Sequence, residues 1–460
     1  MFRLTKALLI FAVLTFSVPA FAATIFCDPS ATGNDDGTSW EDAYDDLQVA
    51  VDAGGSGDEV WVKSRTITVS TTITFDNTNV ISVIGSFSNA LTGTNGSVAG
   101  RDLSGGPTTV LDGQNTTRVA NSSNTVTLDG IKFFDGNATT GANLLVDGTG
   151  NTTTIKNCVF DSGYTTSGSS GGGGISLISL ETIIMEDSIV SNNESSAFNG
   201  GGVYINAGNF TATDSEFTGN TADTVGGAFY VGTTGSTVVL TDCLVDDNTA
   251  STGGGGFQIA GGDNDHVFTR VKFTNNDGAY GAISSVRGFK AINCLFAGNS
   301  ATADGGAIRL SGGSADAELT NCTIADNTCD TASRGGGIFG QFSASVVSTN
   351  TIHWNNLANG VSNEIQNSGT NTVTYCDVEG GFTGTGNVND DPEFLGTGND
   401  PYDLGATSDC VGGANESATD YPSTDILGRS RVDDADIGAY ELQGEPPEFN
   451  DAVRLLMLPI

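Results

Sequence analysis

Few residues of this chain have the types and spacing that acid–base or nucleophilic catalysis requires. It contains two histidines, His266 and His353, and neither lies in a Gly-His-Gly setting. The basic residues considered as general bases are Lys272, Arg287, Lys290 and Arg309. These are scattered, and no Ser-His-Asp set, P-loop or zinc-ligand spacing is present. The sequence therefore predicts no catalytic, cofactor-binding or metal-binding residue.

Two acidic turns have the oxygen-rich composition that a hard cation prefers. They read NDDG at 34–37 and NDD at 389–391. Neither matches an EF-hand loop, and the calcium-binding nonapeptide is absent. We therefore interpret both as solvated turns and predict no cofactor, with calcium kept as the alternative.

One seven-residue phrase recurs between Gly130 and Gly381. It reads DSEFTGN at 214–220, DCLVDDN at 242–248, NCLFAGN at 293–299 and NCTIADN at 321–327. Its last position is assigned to Asn137, Gly163, Asn193, Asn220, Asn248, Asn276, Asn299, Asn327, Asn355 and Gly381. The period is about 27 residues, which is typical of a solenoid repeat. Leucine-rich and helical repeats are excluded, because the regular leucines and helix formers that they need are missing.

The apolar residues of each repeat predict three short strands. Val238 and Leu240 alternate with outward residues, as do Cys243 and Val245, yet Leu240 and Cys243 are three positions apart. Because this spacing breaks the period of two, the chain must bend there, and a third strand follows each glycine cluster. We predict an all-β fold, a right-handed parallel β-helix with three strands per coil, about 12 coils and an N-terminal cap.

The recurring residues are predicted to have structural roles. The asparagine that ends the phrase can take left-handed backbone angles and hydrogen-bond to its counterpart in the next coil, forming a ladder. Glycine pairs such as Gly226-Gly227 and Gly305-Gly306 suit a tight corner with positive φ. One inward column is predicted to contain Phe217, Val245, Phe273, Phe296 and Ile324. By the same phase, His266 points inward and His353 outward.

Five of the eight cysteines share one inward position of the phrase. They are Cys158, Cys243, Cys294, Cys322 and Cys376. Since serine occupies this position in other repeats, we predict a stack of small buried side chains. A disulfide between Cys294 and Cys322, on adjacent coils, is the alternative in an exported protein.

The chain is strongly acidic, with 54 Asp plus Glu, 17 Lys plus Arg and a net charge of −37. A field of this sign repels phosphate backbones and anionic membranes, so no nucleic-acid partner is expected. An acidic polysaccharide would also be repelled unless cations bridged the two surfaces.

The first residues have the pattern of an export signal. Basic residues at 3 and 6 precede an uncharged apolar stretch, and small residues at 19–22 suit signal peptidase, so we predict cleavage after Ala22. The apolar run is shorter than the roughly 20 residues of a membrane-spanning helix, and no later segment is long enough. The predicted organisation is a signal peptide at 1–22, a cap at 23–60, the β-helix at 61–400, a closing region at 401–441 and a tail at 442–460.

Several motifs resemble known bacterial surface proteins. FTGN at 217–220 and GGA at 226–228 resemble the repeats of polymorphic outer membrane proteins. The opening, DPSATGNDDGTSW at 28–40 and GDEVWV at 57–62, resembles that of surface proteins with a pectin-lyase-like β-helix and a choice-of-anchor C-terminal region. So do DPEF at 391–394, DILGR at 425–429 and DIGAYE at 436–441. This resemblance covers roughly Thr24 to Glu441 and implies export and surface display or release.

The sequence favours a secreted or cell-surface scaffold, adhesin-like or part of an extracellular matrix, at the outer membrane or released from it. Its expected partner is a carbohydrate or the surface of a host or neighbouring cell. The alternative is a carbohydrate-active enzyme, a polysaccharide lyase or glycoside hydrolase of the pectin-lyase-like superfamily. That alternative would require carboxylates and a lysine or arginine together in a groove along the third strand.

Overall fold

A computed structural model describes residues 22–76, 81–166, 171–233, 235–263, 265–398, 400–431 and 434–443. Nearly all of the predicted signal peptide and of the tail lies outside these residues. Both remain predictions, as do the domain boundaries.

The described residues form a right-handed parallel β-helix of about 11 turns. Three main sheets, here called A, B and C, run along it and contain 13, 12 and 11 strands. Beside the three expected strands, each regular coil has a two-residue strand between sheets B and C, and these form the 10-stranded sheet D. The strands pair in parallel, apart from the antiparallel pair of Leu357–Ala358 with Val361–Ser362.

The strands of sheet A are Thr24–Cys27, Glu59–Lys63, Ile81–Phe87, Val126–Asp129, Thr152–Lys156, Glu181–Glu186, Gly208–Thr213, Thr237–Thr241, His266–Thr269, Phe289–Ile292, Asp316–Thr320, Ser345–Thr349 and Thr370–Thr374. Those of sheet B are Thr66–Thr68, Thr109–Asp112, Ile131–Phe134, Val159–Asp161, Ile189–Ser191, Glu216–Thr218, Leu244–Asp246, Lys272–Thr274, Leu295–Ala297, Thr323–Ala325, Ile352–Trp354 and Asp377–Val378.

Sheet C contains Ile73–Phe75, Ala120–Ser122, Leu144–Val146, Ile175–Leu177, Val203–Ile205, Phe229–Val231, Phe257–Ile259, Ile283–Ser285, Ile308–Leu310, Ile338–Gly340 and Ile365–Asn367. Sheet D contains Asn137–Ala138, Tyr164–Thr165, Glu194–Ser195, Thr221–Ala222, Thr249–Ala250, Asp277–Gly278, Ser300–Ala301, Thr328–Cys329, Leu357–Ala358 and Val361–Ser362.

The predicted inward column is confirmed. Phe217, Val245, Phe273, Phe296 and Ile324 pair in register on successive strands of sheet B and are fully buried. The rings of Phe273 and Phe296 stack 4.7 Å apart and nearly parallel. Alternate side chains of sheets A and C complete the same continuous core.

The asparagine ladder is also confirmed, with a shift of one residue at each end. It contains Asn193, Asn220, Asn248, Asn276, Asn299, Asn327 and Asn356. Asn356, rather than the predicted Asn355, is the member in its coil, because Ile352 pairs with Thr323 in the preceding strand. At the other end Gly136 takes the place assigned to Asn137, and its N–H donates to the side chain of Asn143.

The left-handed backbone angles lie elsewhere than predicted. The ladder asparagines do not adopt them, whereas the residue before each one does, as in Asp247 with φ 55°. The first residue of the phrase also has positive φ, for example 54° at Asp242, which makes the bend between sheets A and B. Aspartate and asparagine tolerate this region best among non-glycine residues, which explains their recurrence at both corners.

The N-terminal residues close the core as expected. The helix Leu47–Ala53 is capped by the side chain of Asp46 and buries Leu47, Ala50 and Val51 against the interior. A short 3-10 helix, Val98–Gly100, lies in the long loop that follows the third strand of sheet A.

All eight cysteines are buried and unbridged. The thiol of Cys294 donates to the carbonyl of Phe268 at 3.3 Å, and that of Cys322 donates to the carbonyl of Ala291 at 3.2 Å. The predicted inward stack is therefore present, and the Cys294–Cys322 disulfide is not formed in this structure.

Candidate functional site

The C-terminal segment, residues 400–431 and 434–443, folds back over the outer face of sheet B. Its Ile426, Ala439 and Tyr440 pack against Leu295 and Ala297. Leu404 and Ile437 pack in the same way on Ile352, two coils further along. Outward side chains that would face water on a bare β-helix are thus covered.

Buried polar contacts hold this segment in place. The guanidinium of Arg431 pairs with the Glu441 carboxylate at 2.9 Å and donates to the side chain of Asn293 at 3.0 Å. Arg431 and Glu441 are both more than 90% buried. Arg429 pairs with both Asp403 and Asp425 at 2.7 Å. The segment is therefore a fixed wall beside sheet B.

A groove runs along sheet B where this wall ends. It consists of two adjoining cavities, of about 390 and 430 Å³, which share Leu244 and Lys272. The first is lined by residues that include Asp214, Glu216, Asp242, Arg270 and Leu427. The second is lined by residues that include Asp246, Thr274, Asn275, Pro401, Tyr402 and Tyr440.

Both cations of the groove are paired with carboxylates. Arg270 donates two hydrogen bonds to the carboxylate of Asp242, at 2.5 and 2.6 Å, and these bonds raise the pKa of Arg270. Lys272 pairs with Asp400 of the C-terminal segment at 2.7 Å. A general base must be deprotonated, and pairing with a carboxylate favours the charged form of Arg270. Arg270 is thus not prepared to abstract a proton, and the ammonium group of Lys272 is engaged in its own ion pair.

Asp214 and Glu216, on the sheet side of the first cavity, form no ion pair within the described residues, although Arg270 acts on Asp214 from a distance. Burial, together with the carboxylates of Asp242 and Asp187, raises the pKa of Asp214. Glu216, the first residue of the following sheet B strand, is exposed. A ligand for this cavity must therefore tolerate or complement negative charge.

The second cavity combines aromatic and polar groups. Tyr402 donates its hydroxyl to Asp326 at 2.9 Å, and burial and Asp326 raise its pKa. Tyr440 is 1% exposed, and its hydroxyl has no hydrogen-bond partner in the described residues. Rings beside hydroxyl, amide and carboxylate groups suit a ligand that has both apolar faces and polar edges, as sugars have.

The four basic residues considered from the sequence lie in different places. Lys272 lies in the groove, next to Arg270, which was not singled out. Lys290 pairs with Glu318 at 3.0 Å and Asp420 at 2.7 Å. Arg309 lies over the ring of Tyr280 on the outer side of sheet C. Arg287 lies apart from the groove cavities.

The repeat register contains a signal that could have found part of the groove. Asp214, Asp242 and Arg270 occupy the first position of three consecutive phrases, and Glu216, Leu244 and Lys272 pair as neighbours on sheet B. Tyr402 and Tyr440 had no such signal, because they come from the C-terminal segment.

Both histidines are buried in the interior of the β-helix. His266 is buried as predicted, its Nδ1 accepts from the N–H of Val238 at 3.1 Å, and burial lowers its pKa to about 4. The outward orientation predicted for His353 is wrong. Its strand begins directly after the bend at Asn350, so His353 takes the inward position of Ile324, where burial lowers its pKa to about 3.

The two acidic turns do not gather a metal-binding set in the described residues. Asp36 accepts hydrogen bonds from Thr38, and Asp391 accepts one from the N–H of Glu393. No group of three or more His, Cys, Asp or Glu side chains is placed to hold an ion within the described ranges. The interpretation of both as solvated turns stays a prediction, with calcium as its alternative.

Among the described residues, none of the helices has the length and hydropathy needed to cross a bilayer. No curated protein matches the chain. The crystal structure of pectate lyase Pel9A is similar over 92% of this chain and 96% of that chain, with 15% identity and a TM-score of 0.49. Geobacillus virus E2 ORF18 has 15% identity and a TM-score of 0.35, and the match covers 73% of this chain and 58% of that one. Residues 109–324 match the family model of the right-handed β-helix region, in agreement with the observed coil.

Proposed function

We propose that this chain is a secreted or cell-surface β-helical scaffold that binds carbohydrate in the sheet B groove without cleaving it. The observation that supports this most directly is the pairing of both groove cations. Arg270 and Lys272 are paired with Asp242 and Asp400, while the half-buried Tyr402 provides aromatic surface. The groove thus offers contacts for binding, and neither of these two basic side chains is left unpaired.

The negative charge of the groove limits the class of glycan that it can bind. Asp214, Glu216 and Asp246 line it without a cation of their own among the ion pairs of the described residues, and the whole chain has a net charge of −37. Uronate polymers would be repelled at such a surface. Neutral polysaccharides, which offer hydroxyl groups to carboxylate acceptors, fit it better. An adhesin-like or matrix role would follow from binding such polymers outside the cell.

A carbohydrate-active enzyme is the second candidate. It is favoured by one observation, the placement of Asp214, Glu216 and Asp242 in one cavity with Arg270. Hydrolysis needs one carboxylic acid and one carboxylate across the scissile bond, and Asp214, with its raised pKa, could be the acid. The groove lies along sheet B, however, and not along the third strand, where the sequence placed the possible active site.

The experiment combines binding with product detection. Purified protein is screened against neutral glucans and galactans, alginate and pectate by glycan array and calorimetry, and each mixture is assayed for reducing ends and unsaturated products. We expect binding to a neutral polymer with no product. Tyr402→Ala should weaken binding about tenfold, as loss of an aromatic anchor does. Ile184→Ala, on the outer face of sheet A, should leave it unchanged.

Two results would overturn the proposal. One is turnover that Asp214→Asn or Glu216→Gln abolishes, since this would assign the groove to an enzyme. The other is glycan binding that survives Tyr402→Ala but is lost on substitution of the control face. Melting temperatures of all variants are compared, so that loss of binding is not confused with loss of folding.

A further inference from the structure

One buried carboxylate of the β-helix lacks the partners that burial requires. Glu181 is the first residue of the sheet A strand Glu181–Glu186 and is 2% exposed. Neither of its carboxylate oxygens receives a hydrogen bond of normal geometry. The nearest donors, the side-chain amide of Asn151 and the N–H of Gly148, lower its pKa, but burial dominates and raises it to about 7. An uncompensated buried carboxylate is costly, so a missing counterpart is indicated.

The surroundings of Glu181 are rich in oxygen. A Cβ atom on Gly148 would overlap both Oε1 of Glu181 and the carbonyl oxygen of Ser123, so these two oxygens converge on one glycine. The carboxylate of Asp147 is close enough to raise the pKa of Glu181 further. The amide of Asn151 donates to the Ser123 carbonyl at 2.9 Å, which fixes that carbonyl in place.

Within the described residues, no basic side chain is paired with Glu181. The groups that shift the pKa of Glu181 include no basic side chain. Arg118 lies near Asp147, but its guanidinium donates to the carbonyl of Thr140 at 2.8 Å and to that of Gly141 at 3.1 Å. The Glu181 carboxylate and the Ser123 carbonyl oxygen therefore converge at the turn between sheets C and A, with the charge of Asp147 nearby.

We propose that Glu181 and Asp147 bind a calcium ion at this turn, with the carbonyl oxygen of Ser123 as a neutral ligand. Calcium accepts carboxylate and carbonyl oxygens in irregular arrangements, whereas magnesium requires a near-ideal octahedron. The ion supplies the positive charge that the buried carboxylates lack and ties the turns of adjacent coils together. With only two carboxylates, the expected dissociation constant is about 10⁻⁴ to 10⁻³ M, as in extracellular modules. The site is separate from the sheet B groove and independent of glycan binding.

The test uses the purified chain with calcium chloride as the probe. Thermal unfolding is followed in EDTA and in about 10 mM calcium chloride, a concentration roughly tenfold or more above the expected dissociation constant. The number of calcium ions bound per chain is measured by calorimetry. Wild-type protein should melt a few degrees higher with calcium. Glu181→Gln should lose this increase and one bound ion per chain. Glu186→Gln, on the same strand but in an exposed pair with Lys156, should keep both.

Substitution also distinguishes calcium binding from the alternative that Glu181 and Asp147 share a proton. In EDTA, Glu181→Gln should be at least as stable as wild type, because it removes a buried charge that no group compensates. Should that variant fail to fold, Asp147→Asn provides the same comparison of stoichiometry. A wild-type chain that melts at the same temperature with calcium and with EDTA overturns the proposal, as does Glu181→Gln that retains the calcium-dependent increase.

Discussion

Asn356 donates both its backbone N–H and its side-chain amide to the carboxylate of Glu364. In every earlier coil of the ladder the corresponding acceptor is the side-chain oxygen of the next asparagine, as for Asn327 with Asn356 at 2.8 Å. The bonds between ladder asparagines therefore all run in one direction along the coil, and Glu364 ends the series. Burial, with a smaller contribution from the neighbouring Glu379, raises the pKa of Glu364 to about 8.

The Glu364 carboxyl should make stability depend on pH in a defined window. Its pKa is raised from 4.5 to about 8 on folding, so the folded chain holds a proton that the unfolded chain loses. Its contribution is complete below pH 4.5 and falls as the pH rises to about 8. Denaturant titrations should show wild type losing a few kcal/mol relative to Glu364→Gln across this window. Equal slopes for the two proteins would contradict the assignment.

Replacing Asn299 should destabilise the fold and leave ligand binding unchanged. Its amide donates to the carbonyl of Phe273 and to Asn327, and its oxygen accepts from Asn276. Asn299→Ala leaves these buried groups unpaired, which costs roughly 2–4 kcal/mol. Asn209→Ala, on the exposed face of sheet A, is the control and should cost less than about 0.5 kcal/mol. Loss of glycan binding with unaltered melting would show that Asn299 belongs to a binding site.

The sequence was sufficient to predict the coil because each strand shows by itself the alternation of inward apolar and outward side chains. Phe273 and Phe296, for example, occupy the inward position whatever lies elsewhere in the chain. The errors at Asn137 and Asn355 arise where the repeat is ambiguous, since each lies beside a second residue that suits the same turn. Sheet D was missed because a two-residue strand is too short to show any alternation.

The groove could be predicted only in part, because its two sides come from distant parts of the chain. Asp242 and Arg270 follow from the repeat, but Lys272 and Asp400 are 128 positions apart. Nothing in the pattern of the C-terminal segment indicates which coil it covers. The apolar contacts of Ile426 and Tyr440 with sheet B decide this, and they become visible only once both surfaces are folded.

Removing Arg431 should release the C-terminal segment. Glu441 and Asn293 would lose their buried partner, and Arg431→Met should cost about 3–5 kcal/mol, as the breaking of a buried ion pair does. Limited proteolysis should then cleave within residues 400–443 while the β-helix persists. Lys156→Met, which breaks an exposed pair with Glu186, should cost about 1 kcal/mol or less and leave the cleavage pattern unchanged.

The cysteines should be present as unreactive thiols in the folded protein. All eight are buried, and burial raises the pKa of the thiols of Cys158 and Cys243 to about 12, far above the range in which the reactive thiolate forms. Iodoacetamide at pH 8 should leave the native chain unmodified and add eight groups after denaturation, as measured by intact mass. A Cys294–Cys322 disulfide would reduce that number to six unless a reductant is added. Cys322→Ser should then separate the two cases, because it removes any bridge yet preserves the hydrogen bond that Cys322 donates to Ala291.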